Sequence, residues 1–180
     1  MLFRSSPGVR NYNGPYKGEY LNRVAMPMGG LGAGMICMEG TGTLSHVSIK
    51  NKPDIFHEPG MFAALVVKGL KNGAKLLEGP VPDWKKFGRQ NAGNGTEGAT
   101  TGLPRFREAS FLNRFPFGYL DLSDPDIPLK IQVTGWSPFV PTEENDSSLP
   151  VAALEYHFNN RSEEHTSELQ SHSFISYAVF

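Results

Sequence analysis

Hydrophobic and polar residues alternate along several short segments of this chain. Residues 129–134 (LKIQVT), 154–158 (LEYHF) and, less regularly, 119–122 (YLDL) place apolar side chains at every second position. Because successive side chains of a strand point to opposite faces, this period of two predicts strands with one buried and one solvated face. Such alternation is typical of antiparallel sheets.

Two further pairs of segments predict β-hairpins. Residues 62–67 (FAALVV) form a continuous apolar run that predicts a central strand, and residues 74–77 follow the pair Asn72-Gly73. An Asn-Gly pair favours a tight turn with positive φ at both residues. Residues 35–38 and 44–50 flank Gly40-Thr41-Gly42 and predict the second hairpin.

No segment carries an apolar stripe at helical spacing over three turns. The predicted fold is therefore all-β, an incomplete antiparallel β-sandwich with long loops. Residues 83–101 lack any period and are rich in Gly, Asn and Thr. They predict a long structureless loop, of a kind that is often functional or disordered.

The last twenty residues, 161–180, have a different origin in our interpretation. Residues 161–171 read R-S-E-E-H-T-S-E-L-Q-S and residues 175–180 read I-S-Y-A-V-F, which match translations of the two arms of a common sequencing-adapter oligonucleotide. Two matches in one frame and in the correct order indicate an artefact, which is excluded from fold reasoning. We expect an N-terminal extension over residues 1–15, a partial β-sandwich over 16–160 and a disordered, non-native tail over 161–180.

The amino-acid composition excludes some classes of binding partner. The chain has 17 Lys and Arg against 18 Asp and Glu, which gives no basis for binding nucleic acid or an anionic membrane, since both require clustered positive charge. No apolar run approaches the roughly 20 residues of a transmembrane segment. No signal peptide is visible, and the localisation stays open between cytoplasm and export.

Cys37 is the only cysteine of the chain. A single cysteine excludes an intrachain disulfide and a zinc site built from several cysteines. Its neighbours Ile36 and Met38 are apolar, so we expect Cys37 to be a small buried hydrophobic residue.

The densest local motif is Gly29-Gly30-Leu31-Gly32-Ala33-Gly34. A phosphate-binding glycine motif needs a helix after it and a further glycine at the position that Met35 occupies. An apolar, strand-like segment follows instead. We interpret the glycines as serving close backbone packing or positive φ. As a hypothesis, we place them at an interface with another domain.

Carboxylates invite a glycosidase interpretation, because these enzymes use two carboxyl groups flanking the scissile bond. The acidic residues gather in two turn-like segments and are predicted to be solvated or to form turns: Glu143, Glu144 and Asp146 in one, Asp121, Asp124 and Asp126 in the other. Neither group indicates a buried catalytic pair.

The remaining candidates are histidines and tryptophans. His46 and His57 with Glu58 make a weak metal candidate, because no third ligand follows at a suitable spacing. Trp84 and Trp136 offer surfaces for stacking on sugars, although such rings more often pack in a core or at its edge. We assign no catalytic, cofactor-binding or metal-binding residue and expect no cofactor.

Three segments together resemble the N-terminal domain of glycoside hydrolase family 116, which includes the non-lysosomal glucosylceramidase and bacterial β-glucosidases. They are residues 18–22 (GEYLN) running into 27–34 (PMGGLGAG), 77–84 (LEGPVPDW) and 135–141 (GWSPFVP). The resemblance covers about residues 16 to 160.

The resemblance implies a β-sandwich that packs against an (α/α)6 catalytic barrel of the same protein. In that family the nucleophilic glutamate and the aspartic acid/base belong to the barrel, so no catalytic residue is carried over to this chain. It implies retaining hydrolysis of a β-glucoside by the intact protein and an inactive fragment here. The alternative is a freestanding carbohydrate-binding β-sandwich whose Trp84 and Trp136 face solvent.

Overall fold

The computed structural model describes residues 10–55, 58–87 and 101–160, together with the backbone of residues 173–174 and 178–179. Strands dominate this part of the chain, which confirms the predicted all-β class. In chain order they are β1 (Tyr16–Lys17), β2 (Ala25–Met28), β3 (Met35–Glu39), β4 (Leu44–Ile49), β5 (Lys52–Asp54), β6 (Ala64–Val66), β7 (Ala74–Leu76), β8 (Glu108–Arg114), β9 (Phe117–Asp124), β10 (Ile127–Trp136), β11 (Val151–Asn160), β12 (Ser173–Phe174) and β13 (Ala178–Val179).

The helices in the described residues are short. They are the 3-10 helix η1 (Gly18–Arg23), α1 (Asp83–Phe87) and α2 (Glu144–Ser147). None of them has the length and apolar content needed to cross a bilayer. The first five residues of the predicted loop 83–101 therefore form a helix, which corrects that prediction, and residues 88–100 of the loop lie outside the described residues.

The strands form three sheets with antiparallel pairing throughout. The large sheet has the order β1-β8-β9-β10-β11, with β12 and β13 both pairing with β11. The second sheet has the order β2-β3-β4-β5, and β6 pairs with β7 in the third. The predicted disordered tail falls mostly outside the described residues; β12 and β13 are its described parts.

The large sheet confirms the alternating segments of the sequence. Ile131 and Val133 of β10 and Leu120 and Leu122 of β9 are at most 3 % exposed, whereas Gln132 between them on β10 is exposed. The register places Ile131 opposite Leu122 and Val133 opposite Leu120. Apolar positions of neighbouring strands therefore meet on one face of the sheet, as a period of two requires.

The four-stranded sheet packs on this apolar face, and the core lies between the two. Its buried members are Met26, Met28, Ile36, Met38 and Leu44 from the four-stranded sheet, Phe111, Leu120, Leu122, Ile127, Ile131, Val133 and Ala152 from the large sheet, and Leu21, Leu77 and Phe106 from other segments. Two packed antiparallel sheets with a shared core are the arrangement of a β-sandwich.

Glycines of the large sheet let the two sheets approach closely. A Cβ atom added to Gly135 would lie 2.6 Å from Met28 Sδ and 2.7 Å from Met38 Sδ. One added to Gly118 would lie 2.7 Å from Met26 Sδ. The absence of a side chain at these two strand positions thus makes room for three methionine side chains from the facing sheet.

The hairpin from β3 to β4 forms as predicted, with Gly42 at a φ of 92°. The β6–β7 hairpin also forms, but two details of its prediction are wrong. β6 is a short strand in a two-stranded sheet, not a central strand, and Val66 is 70 % exposed. Among the residues that connect the strands, Gly69 has the positive φ, 85°, and neither Asn72 nor Gly73 does.

We predict that Gly135→Val lowers the free energy of unfolding by about 1–3 kcal/mol, because overpacking forces two buried methionine side chains to move. Gly102→Val is the matched control, since a Cβ there would meet nothing within 4 Å. Urea unfolding of both variants measures the effect. Equal midpoints would show that the methionines yield without cost and would contradict the prediction.

Candidate functional site

A buried lysine joins three segments on the outer side of the four-stranded sheet. Lys85 Nζ lies 2.7 Å from Glu39 Oε2 and 2.5 Å from Glu58 Oε1. The Lys85 side chain is 3 % exposed, and those of Glu39 and Glu58 are 9 % and 12 % exposed. Strand β3, the segment after β5 and helix α1 are thus held by one cation between two carboxylates, a set we call the Lys85 cluster.

Helix α1 positions Lys85. The backbone N–H of Lys85 donates to Pro82 O over 3.0 Å, which closes the first turn. The indole N–H of Trp84 donates to Asn22 O over 2.7 Å and so ties α1 to η1. With Trp84 fixed in this way, the next side chain is directed toward β3, where Glu39 pairs with it.

A cavity of about 400 Å³ lies beside the Lys85 cluster. We call it the Trp84 pocket; its aromatic and polar lining includes Arg23, Glu39, Ser45, His46, Glu58 and Trp84. The Arg23 guanidinium lies over the Trp84 ring, 5.5 Å from its centroid, at a distance where a cation and an aromatic ring attract each other.

His46 reaches this pocket through a β-bulge. Between the pairs Met35↔Ser48 and Cys37↔Ser45 the register shifts, because β4 contains one residue more than β3. His46 takes up the extra length with a φ of 55°, a value that is uncommon outside glycine. Bulges of this kind redirect a side chain, and Ser45 Oγ lies 2.5 Å from His46 Nδ1.

Cys37 lies on the outer face of β3, opposite Ser45. It is 8 % exposed, which confirms the prediction of a small buried residue. Burial, and then the charge of Glu39, raise the pKa of the Cys37 thiol. A thiol held in its protonated form is a poor nucleophile, so Cys37 has the properties of a packing residue.

Two other buried carboxylates are paired in the same way. Glu78 Oε2 accepts hydrogen bonds from Thr43 Oγ1 and Arg105 Nε, each over 3.0 Å. Asp124 lies 2.8 Å from Lys75 Nζ. Burial, and then the charge of Glu78, raise the pKa of the nearby Tyr156 phenol to about 12.

Asp124 begins the turn between β9 and β10, as predicted, but it is not solvated. Its side chain is buried, and it accepts hydrogen bonds from the backbone N–H groups of Arg107 and Asp126. Burial raises the pKa of Asp124, but the bonds from Lys75 and these two N–H groups outweigh it and leave the pKa below its ordinary value. Asp121, by contrast, belongs to strand β9 and not to a turn, which corrects its prediction.

The outer face of the large sheet divides into a polar and an aromatic part. Ser110, Asp121, Gln132 and His157 form one row by register and line a cleft of about 1120 Å³. Two rows along, Phe117 of β9 lies opposite Trp136 of β10. Positive and negative side chains both line the cleft, which gives it no dominant charge.

The glycine motif forms the loop between β2 and β3 and packs closely, as predicted. Gly29 N–H donates to Ser137 Oγ over 3.1 Å, and Leu31 N–H donates to Ser147 O over 2.8 Å. A Cβ atom on Gly30 would overlap the backbone carbonyl of Leu149. The motif therefore joins the four-stranded sheet to the segment that follows β10.

This loop borders an exposed apolar surface. Its large side chains, each 39 % to 57 % exposed, are Leu31, Phe115, Phe117, Phe139, Val140 and Leu149. The rings of Phe115 and Phe139 meet edge to face with centroids 5.0 Å apart. Clusters of exposed apolar side chains mark interaction sites on proteins more often than isolated ones do.

The other candidate site residues from the sequence lie in different parts of the structure. Trp84 lines the pocket, and Trp136 lies on the opposite sheet; both are partly buried. Glu143, Glu144 and Asp146 are exposed, which confirms their predicted solvation. His57 lies outside the described residues, and in the part of the chain that is described no three His, Cys, Asp or Glu side chains converge on a metal site.

The Lys85 cluster and the Trp84 pocket escaped prediction. Lys85 and Glu58 are 27 residues apart, and no local pattern distinguishes Lys85 from the exposed Lys86 beside it. Two signals were visible in the sequence: Trp84, a candidate for stacking on sugars, and the weak metal candidate that grouped His46 with Glu58. All three residues line the pocket, but nothing local links Trp84 to the other two.

Residues 25–169 match a family model described as beta-glucosidase 2, glycosyl-hydrolase family 116 N-terminal. The match covers more than half of the chain and includes every strand from β2 to β11. A search of curated proteins finds no match to the chain. Because the family match ends within residues 161–180, the boundary of native sequence at residue 160 stays a prediction.

We predict that Lys85→Met lowers the free energy of unfolding by about 3 kcal/mol or more, because it leaves two largely buried carboxylates without a counter-charge. Lys86→Met is the matched control: Lys86 is a neighbour whose side chain is 47 % exposed, and its ion pair is expected to contribute less than about 1 kcal/mol. Chemical unfolding compares the two. Similar losses in both variants would refute a structural role for the Lys85 cluster.

We predict that Asp124 makes stability depend on pH in acid. A carboxyl group with a lowered pKa in the folded state stabilises the protein above its unfolded pKa of about 3.9, and this contribution is lost as the pH falls through the folded pKa. Asp124→Asn should therefore be less stable at neutral pH and lose less stability on acidification. Asp121→Asn, on the exposed face of β9, is the control. Unfolding midpoints measured from pH 7 to 2 test this, and parallel curves for the wild type and Asp124→Asn would contradict it.

Proposed function

Because the chain belongs to the glycosyl-hydrolase family 116 N-terminal family, we propose that it is the accessory β-sandwich part of a β-glucosidase-like hydrolase. Its partner is the catalytic barrel of the same protein, and a β-glucoside is substrate only for the intact protein. By itself the chain binds and orients no scissile bond. The proposal rests on how its carboxylates are used.

The main observation in support of this accessory role is that the four least exposed carboxylates of the described residues are all ion-paired. Glu39 and Glu58 share Lys85, while Glu78 pairs with Arg105 and Asp124 pairs with Lys75. Glycoside hydrolysis requires one carboxyl group to give a proton to the leaving oxygen and a second to act on the anomeric carbon. Carboxylates that neutralise buried cations serve the fold instead.

Lys85 holds Glu39 and Glu58 close to each other. Both contact the same nitrogen, Lys85 Nζ, within 2.7 Å. The ammonium group therefore occupies the space between them, where a glycosidic oxygen would have to lie. This arrangement supports a structural pair over a catalytic one.

The segments that carry the family resemblance contact one another. Segment 27–34 bonds to segment 135–141 through Gly29 and Ser137, and segment 18–22 bonds to segment 77–84 through Asn22 and Trp84. Each contact joins parts of the chain that are far apart in sequence. Residues used in this way hold the sandwich together, as expected of a supporting domain.

The exposed apolar surface around Leu31 and Phe139 is the proposed position of the partner domain. It combines the glycine loop with the segment after β10, so two of the three family segments contribute to it. Burying such a surface against another domain is favourable, at about 25 cal/mol for each Å² of apolar area.

The alternative function, a freestanding carbohydrate-binding sandwich, finds support at one of its two tryptophans. Trp84 lines a cavity together with carboxylates, which is a suitable setting for a sugar. Trp136 belongs to an apolar surface without a comparable set of polar groups. Sugar binding at Trp84 is compatible with the accessory role and is argued separately below.

We predict that the purified chain releases no 4-nitrophenol from 4-nitrophenyl β-glucoside beyond the uncatalysed rate between pH 4 and 8. The physical reason is that its buried carboxylates are held by cations. Glu39→Gln and Glu58→Gln variants serve as controls. Turnover by the wild type that either substitution abolishes would overturn the proposal and make these residues catalytic.

A further inference from the structure

The Trp84 pocket brings together a cavity, an aromatic wall and a set of polar groups. Its volume of about 400 Å³ lies within the range of small-molecule sites in proteins. By comparison, the lining of the cleft at Asp121 has no tryptophan, and that of the cavity at Trp136 has one carboxylate, Asp146. The pocket also lies at a bulge, and bulges often occur where a side chain is aimed for a function.

The charges around the pocket balance. Glu39 and Glu58 contribute two negative charges, and Lys85 and Arg23 contribute two positive ones. An anionic ligand would meet the two carboxylates, and a cationic ligand would have to compete with Lys85, which already contacts both. A neutral ligand is repelled neither by the two carboxylates nor by the two cations.

The polar groups of the pocket favour a ligand with several hydroxyl groups. Glu39 uses Oε2 and Glu58 uses Oε1 for Lys85, but a carboxylate offers about four acceptor positions. Acceptor capacity therefore remains on both residues. The Ser45 hydroxyl and the His46 imidazole, 2.5 Å apart, add groups that donate as well as accept.

Trp84 contributes ring surface and not a hydrogen-bond donor, and it shares that surface with the Arg23 guanidinium and Lys85 Nζ, each 5.5 Å from the ring centroid. Its indole N–H is already committed to Asn22 O. A pyranose ring presents a C–H face that packs on an aromatic ring and a rim of hydroxyl groups that bond to carboxylates. This combination of one apolar face and a polar rim matches the lining of the pocket.

His46 supports the same assignment. Its positive φ of 55° is a conformation that costs free energy for a residue other than glycine, and such conformations concentrate at functional sites. The bulge in β4 turns the imidazole of His46 toward the cavity, which a regular strand would not do.

We propose that the Trp84 pocket binds one neutral pyranose unit without cleaving it. The proposal extends the accessory role described above and rests on it only in taking the pocket to be non-catalytic. The position of Lys85 between the carboxylates prevents hydrolysis, and Lys85 contacts them through Glu39 Oε2 and Glu58 Oε1.

Tryptophan fluorescence tests this directly, because the chain has only two tryptophans. In a Trp136→Phe background, Trp84 is the sole reporter. D-glucose and methyl β-D-glucoside are titrated to about 100 mM, a hundred times the Kd of a site of millimolar affinity. We expect a saturable change in emission with the sugars and none with choline chloride or sodium phosphate.

Glu58→Gln in the same background tests the role of the carboxylates. It removes one charge while Lys85 keeps Glu39, and we expect the affinity for the sugar to fall at least tenfold. Glu144→Gln, an exposed residue of α2, is the matched control and should bind as the parent does. Saturation-transfer NMR on the unmodified chain gives a second readout that needs no variant, with saturation expected at the sugar protons of one ring face.

A flat titration together with no saturation transfer would overturn the proposal. So would a response to choline without one to glucose, which would make the pocket a cation site, or sugar binding that Glu58→Gln leaves unchanged. These outcomes are separate from the hydrolysis assay. An inactive chain that binds no sugar refutes only the pocket, and a chain that hydrolyses the glucoside refutes the accessory role.

Discussion

The close approach of the two sheets at Gly118 and Gly135 is the constraint on which the rest of the structure depends. Three methionine side chains from the four-stranded sheet fill the space that these glycines leave. This contact fixes the distance of β3 from the large sheet. It also leaves the opposite face of β3, with Cys37 and Glu39, available to a third layer of structure.

That third layer depends on charge instead of apolar burial. Helix α1 has only five residues, too few to be stable without tertiary contacts. Lys85 and Trp84 supply such contacts, the first through two carboxylates and the second through the backbone of η1. The partners of Lys85, Glu39 and Glu58, line the Trp84 pocket together with Trp84, so residues that hold the helix in place also provide part of the lining of the cavity.

The sequence predicted the parts of the fold that local periodicity determines. β9, β10 and β11 follow from alternation, because one face of each strand meets the core. Residues 62–67 misled the prediction, since an apolar run does not reveal whether a larger sheet is present to cover it. For Asp124 the turn was predicted from its proximity to Pro125, whereas its burial and its pairing with the distant Lys75 leave no local signal. The Lys85 cluster could not be predicted, because its three members come from separate elements that only the folded chain brings together.

The methionine-filled gaps between the sheets also bear on how sequences of this family can change. Residues 28, 38 and 135 are distant along the chain, yet they share one small volume in the core. A side chain at position 135 requires shorter residues at 28 and 38, and a shorter residue there leaves a void unless 135 enlarges. Among homologous chains, the residues at these three positions should therefore covary in size.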